Sequence, residues 1–163
     1  MSSVGFMQRL DAVEERLAGL AASRPKQGAL TSADPGSGER WDTGQVWAHL
    51  AEFVPYWIGQ AQLVITAYDD EPVPFGRTKT DSARVGAIAR DRTQPQAVLW
   101  ADVHTDIEGL RQFLMGIDAE AWRVRGLHPA MGVMDLDRII DEFLVGHLEQ
   151  HADQLDELTR AGG

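Results

Sequence analysis

In the run Gly146-His147-Leu148-Glu149-Gln150-His151, two histidines stand four residues apart, so on a helix their imidazoles lie one above the other and can share one ion. The apolar residues Ile140, Leu144, Leu155 and Leu158 follow the same face, which turns both rings toward a helical core. A third histidine, His49, stands among Val46, Phe53 and Trp57, the inward positions of another helical pattern. Three neutral imidazoles with a fourth position left to water form the ligand set of an open, catalytic-type Zn²⁺ site, and Ni²⁺ or Fe²⁺ accepts the same set. Taken singly, each histidine reads more simply as a hydrogen-bonded core or boundary residue; the convergence of three is what points to a metal.

Two other metal chemistries fail on spacing. A zincin needs His-Glu-x-x-His with the glutamate beside the metal, but Leu148 holds that place and Glu149 lies about 200° around the helix from His147. A ferritin-like di-iron site needs Glu-x-x-His on two helices, and the chain has none. His104 to Glu108, a single His-x-x-x-Glu, is a faint echo of other iron-binding bundles, and His104 lies beside rather than on the Val103 and Ile107 stripe.

The elements that must position the histidines are helical nearly throughout. Phe6, Leu10, Val13, Leu17 and Leu20 mark one face of a first helix, ended by the turn-rich stretch from Arg24-Pro25 to Gly38. Asp42 or Thr43 caps a second helix whose inward residues run Val46, Leu50, Phe53, Trp57, Ala61 and Val64, with a bend expected at Pro55 and an end near Tyr68. A proline-rich loop over 69–80 precedes a short helix from Asp81-Ser82 to about Ala89. Thr93 is the expected cap of a third long helix, with Pro95 in its first turn and Leu99, Val103, Ile107, Leu110, Leu114 and Ile117 as its stripe. Residues 125–132 read as a loop, and the fourth helix as an unbroken run from about Asp135 to Leu158. No period-two strand pattern competes, so the expectation is an all-α four-helix bundle with long connections, residues 1–163 forming a single domain.

Composition narrows the partners. Of 163 residues 44% are hydrophobic and 25% charged, and 15 Lys and Arg against 25 Asp and Glu leave a net charge of −10. A nucleic-acid backbone or an anionic membrane surface would be repelled, so neither is expected as a partner. The charged N-terminal run and the lack of any stretch near 18 consecutive apolar residues give the expectation of a soluble, cytoplasmic chain without a signal peptide or membrane span. There is no cysteine, so thiol chemistry requires an external small-molecule thiol. Thirteen Arg against two Lys, and no Asn, indicate a GC-rich coding sequence.

At the histidines the sequence resembles the DinB-like family, the superfamily that also contains mycothiol-dependent maleylpyruvate isomerase. The resemblance is carried by Val46-Trp47-Ala48-His49-Leu50-Ala51-Glu52, by Pro74-Phe75-Gly76-Arg77-Thr78, by Gly126-Leu127-His128-Pro129, and most specifically by the His-x-x-x-His-x-x-Gln of His147, His151 and Gln154. It covers most of the chain and implies a DinB-like four-helix bundle, up-up-down-down or closely related. It also implies a divalent ion on His49, His147 and His151. Family members with assigned activity use a low-molecular-weight thiol such as mycothiol or bacillithiol. The isomerase branch typically has glutamate as its second ligand, so His147 favours the three-histidine, transferase-like branch.

The expected function is therefore transfer of a mycothiol-like thiol to a small electrophile by an enzyme dependent on zinc or nickel. Metal-assisted hydrolysis is the competing enzyme reading. A non-catalytic homodimer or carrier binding a metal or small molecule is the alternative of a different class. Around the site, Glu52 is expected to orient a ligand or bound water or to lie solvated on the helix flank, Gln154, by the resemblance alone, to contact a metal ligand from behind, Arg77 to bind a carboxylate of a thiol cofactor or to serve as an ion-pair partner, and His128 to act as a substrate group or to pack before the fourth helix. Trp47, Trp57, Trp100 and Trp122 are expected in the core or at an interface.

Overall fold

A computed structural model describes residues 3–160. Helix α1 spans Ser3–Ala22, α2 Thr43–Ala67, α3 Ser82–Asp91 and α4 Gln96–Met115. The fourth long helix consists of α5 (Leu136–Ile140), a π turn (Asp141–Val145) and α6 (Gly146–Arg160) in unbroken succession. The apolar stripes read from the sequence are the core. Phe6, Leu10 and Leu17 of α1, Leu50 and Phe53 of α2, Leu110 and Leu114 of α4 and Leu148 and Leu158 of α6 are all fully buried. Around the bundle, α4 packs between α1 and α2 on one side and α6 packs between them on the other.

Local chemistry sets the ends of α2. Asp42 accepts a hydrogen bond from the Gln45 amide at 2.8 Å, and Gln45 Oε1 accepts from the Asp42 amide at 3.0 Å, a reciprocal capping box that satisfies two otherwise orphaned donors. Helix α3 is capped by Asp81. Helix α4 departs from expectation: Pro95 rather than Thr93 occupies the cap position and provides no side-chain hydrogen bond.

Two features were absent from the sequence reading. The stretch expected as a loop after Arg125 is a β-hairpin, β2 (Arg125–His128) with β3 (Gly132–Asp135), and β1 (Val73–Pro74) pairs with β2 in parallel. This small sheet fastens the 69–80 loop to the entry of the fourth helix. The fourth helix is not uniformly α: at the π turn the Gly146 amide donates to the Asp141 carbonyl, five residues back. The extra residue per turn changes the phase of α6 relative to α5, and π turns of this kind recur beside functional sites.

Candidate metal centre

His49 lies in the second turn of α2; His147 and His151 lie one turn apart on α6, directly after the π turn. The three rings meet between the two helices. Nε2 of His147 is 3.1 Å from Nε2 of His49 and 3.1 Å from Nε2 of His151, and one ligand atom from each ring fits within a 4.8 Å span. His49 and His151 are buried, at 4% and 5% exposure, whereas His147 is partly accessible and marks the open side.

The far edges of the rings fix which nitrogen faces the centre. Nδ1 of His49 is 3.0 Å from Glu52 Oε2, and Nδ1 of His151 is 2.7 Å from Gln154 Oε1. Both partners are acceptors, so each Nδ1 carries its proton and donates, leaving the Nε2 lone pair directed inward. On His147, the Gln150 side chain, at the same three-residue offset, accepts a hydrogen bond from the ring and works against the lowering by burial. Burial is the first cause that holds His49 and His147 well below the ordinary histidine pKa, with the neighbouring His151 imidazole next; His151 is lowered to about 4, again mainly by burial. Inward lone pairs from neutral rings about 3 Å apart repel unless a cation or a proton lies between them, and burial opposes the proton. The donor set therefore fits a divalent ion on three imidazoles with one side open.

The surrounding residues seal and support this cluster. Phe53 stands edge-on to His147 at 4.4 Å between ring centroids. Trp41 stacks on His151 at 6.3 Å and meets His49 edge-on at 5.3 Å. The loop before α2 presents that indole: the Thr31 amide donates to the Trp41 carbonyl at 2.8 Å, and the Trp41 amide donates to the buried Thr31 Oγ1 at 3.0 Å. Trp47 and Trp57 are core residues, and Trp100 and Trp122 are partly buried against it, as expected; Trp41, at the site, lies outside the apolar stripes.

Glu52 is itself buried, and its second oxygen pairs with the Arg77 guanidinium. Arg77 in turn lies 3.8 Å over the Tyr56 ring, and burial pulls its pKa down to about 10. The Arg77 charge is thus directed at Glu52, behind His49, in the ion-pair role that was one of its two expected readings. His128 holds the backbone of that arginine: its Nε2 donates to the Arg77 carbonyl at 3.1 Å, while its Nδ1 accepts from the Ala130 and Met131 amides, both at 3.2 Å. With both nitrogens engaged and the ring packed 4.9 Å from Phe143, His128 clasps the hairpin to the loop, as its packing reading expects. Gly76 permits this contact, because a Cβ there would come within 2.6 Å of the His128 ring and the backbone has φ +86°. His104 is exposed on α4, 3.1 Å from Glu14 and apart from the cluster.

One further residue escaped the sequence reading. Arg84, in the first turn of α3, places its guanidinium 5.5 Å from the ring centroid of Trp41, the indole that stacks on His151.

No protein-family profile matches the sequence, and no curated protein matches it significantly. Solved structures do. YfiT from Bacillus subtilis, described as a probable metal-dependent hydrolase with an unusual four-helix bundle topology, superposes with a TM-score of 0.73 at 19% identity, over 98% of this chain and 86% of that one. Mycothiol-dependent maleylpyruvate isomerase superposes with a TM-score of 0.69 at 14% identity, and a histidine-to-alanine mutant of it with 0.70 at 13%. Both cover 95% of this chain but 61% of the isomerase, so the chain spans under two thirds of that enzyme's length. From these likenesses and the packing described above, the chain has the four-helix-bundle fold of these solved structures.

Proposed function

We propose that the chain is a divalent-metal-dependent enzyme whose ion is held by His49, His147 and His151, and that it transfers a low-molecular-weight, mycothiol-like thiol to a small electrophile. The observation that carries the metal is the convergence of three Nε2 atoms, two of them with their Nδ1 protons committed to Glu52 and Gln154. A divalent ion there, zinc or nickel by donor type, supplies Lewis acidity that lowers the pKa of a thiol or water reaching it. The chain's own residues do the rest. Glu52 and Gln154 hold two rings in one tautomer, Arg77 balances the buried Glu52 charge, and Trp41 and Phe53 keep water from the closed side. The thiol is favoured by the fold shared with a mycothiol-dependent enzyme and must come from outside, since the chain has no cysteine.

Metal-assisted hydrolysis is the second reading, favoured by the likeness to YfiT over nearly the whole of both chains. Elemental analysis after gentle purification or reconstitution should find about one divalent ion per chain. His49→Ala, His147→Ala and His151→Ala should each weaken metal binding by at least ~10-fold, and His104→Ala should not. Less than ~0.1 equivalent after loading with Zn²⁺, Ni²⁺ and Fe²⁺ would defeat the site. With the ion in place, thiol consumption measured against hydrolytic product over a panel of small electrophiles separates transferase from hydrolase, and binding without turnover would indicate a carrier.

A further inference from the structure

We propose that Arg84 is the anchor for a carboxylate carried by the small molecule that enters the open, His147 side of the triad. The proposal deepens the metal-centre reading, on which it rests for what lies beneath that anion.

Arg84 is held in place without being neutralised. Its backbone amide donates to Asp81 Oδ1 at 2.9 Å, and its Nη1 donates to the Lys79 carbonyl at 2.8 Å. The guanidinium is half-buried beside Trp41, whose indole stacks on His151. Among the described residues no carboxylate makes an ion pair with it: Asp81, Glu39 and Asp34 act on it only as more distant charges. The contrast with Arg77, whose charge is taken up by Glu52, is direct. In a chain of net charge −10, a pinned and unpaired cation over the indole that stacks on His151 is placed to receive an anion.

The charge around Arg84 favours a carboxylate over a phosphate. With one Nη1 donor committed to Lys79, the Nε and Nη2 hydrogens form a two-pronged edge that matches the two oxygens of a carboxylate. The three acidic residues around Arg84 would oppose the additional negative charge of a phosphate.

The test uses cobalt-loaded protein, in which thiol binding is read from thiolate-to-cobalt absorption. The parent should bind 3-mercaptopropionate about 10-fold or more tightly than 2-mercaptoethanol, the gain expected of a charge-assisted pair. Arg84→Gln should reduce that ratio to within about twofold while changing 2-mercaptoethanol affinity little, Arg84→Lys should restore part of it, and Arg90→Gln, at an exposed cation of the same helix paired with Asp91, should leave it unaltered. Propionate titrated at saturating 2-mercaptoethanol distinguishes the source: Arg84-dependent binding beside the thiol assigns the carboxylate to the electrophile, and competition with 3-mercaptopropionate alone assigns it to the thiol. A ratio near one in the parent, or an unchanged ratio in Arg84→Gln, overturns the anchor and leaves the metal site standing. If cobalt fails to bind, propionate should still perturb tryptophan fluorescence saturably in the parent and not in Arg84→Gln. That result keeps the anchor and rejects the metal centre, whereas silence in the parent overturns the anchor as well.

Discussion

Glu52 Oε2 lies 3.0 Å from Nδ1 of His49, three residues earlier on the same helix, and the contact is repeated on α6, where Gln154 Oε1 lies 2.7 Å from Nδ1 of His151. One turn of helix therefore supplies both the inward nitrogen and the group that orients it, without help from tertiary structure. The two acceptors differ in charge: the carboxylate raises the basicity of its ring more than the neutral amide does.

Removing these acceptors should accordingly have unequal effects. Glu52→Ala is expected to lower metal affinity by about 10- to 100-fold and Gln154→Ala by less, toward the lower end of that range. Competition against a chromophoric chelator would measure both. Unchanged affinity in the two variants would mean that Trp41 and Phe53 hold the rings by packing alone.

Arg77 and Glu52 should prove strongly coupled in stability, since both side chains are more than nine-tenths buried. Arg77→Met leaves the Glu52 carboxylate without its counter-ion and should cost about 3–5 kcal/mol, much of which Glu52→Gln in the same chain should recover. Urea unfolding of the two single variants and the double variant gives the coupling energy, and simple additivity would contradict the pairing.

The histidine cluster was legible in sequence because its two features are local: a four-residue histidine repeat, and the coincidence of all three histidines with the apolar stripes of their own helices. The bundle was legible for the same reason, with Phe6 to Leu17 and Leu99 to Leu114 buried as their spacing requires. What the sequence concealed depends on contacts between distant segments. Trp41 lies in a loop without periodicity, brought to His151 by the Thr31 bridge, and Arg84 reaches the site only because α3 packs on α2. The hairpin was hidden by its four-residue strands, although β2 does alternate, with Gly126 and His128 inward and Arg125 and Leu127 outward. Nothing in Asp141–Val145 announces a π turn; its sequence signal is the glycine that follows.

A stability test lies away from the site. Burial, with the nearby Asp102 charge adding to it, raises the Asp106 carboxyl to about 6 on the face of α4. A folded pKa above the unfolded one means that the native state binds more protons between about pH 4 and 6, so this carboxyl destabilises the protein progressively as pH rises through that window. Solvent screening at a half-exposed group reduces the effect to about 1 kcal/mol. Asp106→Asn should then raise Tm by roughly 2–4 °C at pH 7 and by little at pH 4. An equal change at both pH values would show that the gain is not electrostatic.

The π turn makes the sharpest demand on a single residue. A Cβ on Gly146 would fall 2.4 Å from the Asp141 carbonyl oxygen and 3.1 Å from Asp141 Oδ1, so Gly146→Ala cannot be accommodated without moving the turn. Arg9 resists that movement, because its guanidinium ties Asp141 at 2.8 Å and Glu149 at 2.6 Å, one residue on either side of the segment that carries Gly146 and His147. The crowding should cost about 1–3 kcal/mol. Since His147 is the next residue, the displacement also passes directly into the histidine cluster, and metal affinity should fall with stability. Gly109→Ala is the control: its Cβ meets nothing within 4 Å on α4, and a helix-interior glycine replaced by alanine should gain about 0.5–1 kcal/mol with metal affinity unchanged. Thermal unfolding and chelator competition on the two variants would separate a general helix effect from a local one. If Gly146→Ala retained parental stability and metal binding, the five-residue turn would not be what sets the position of His147.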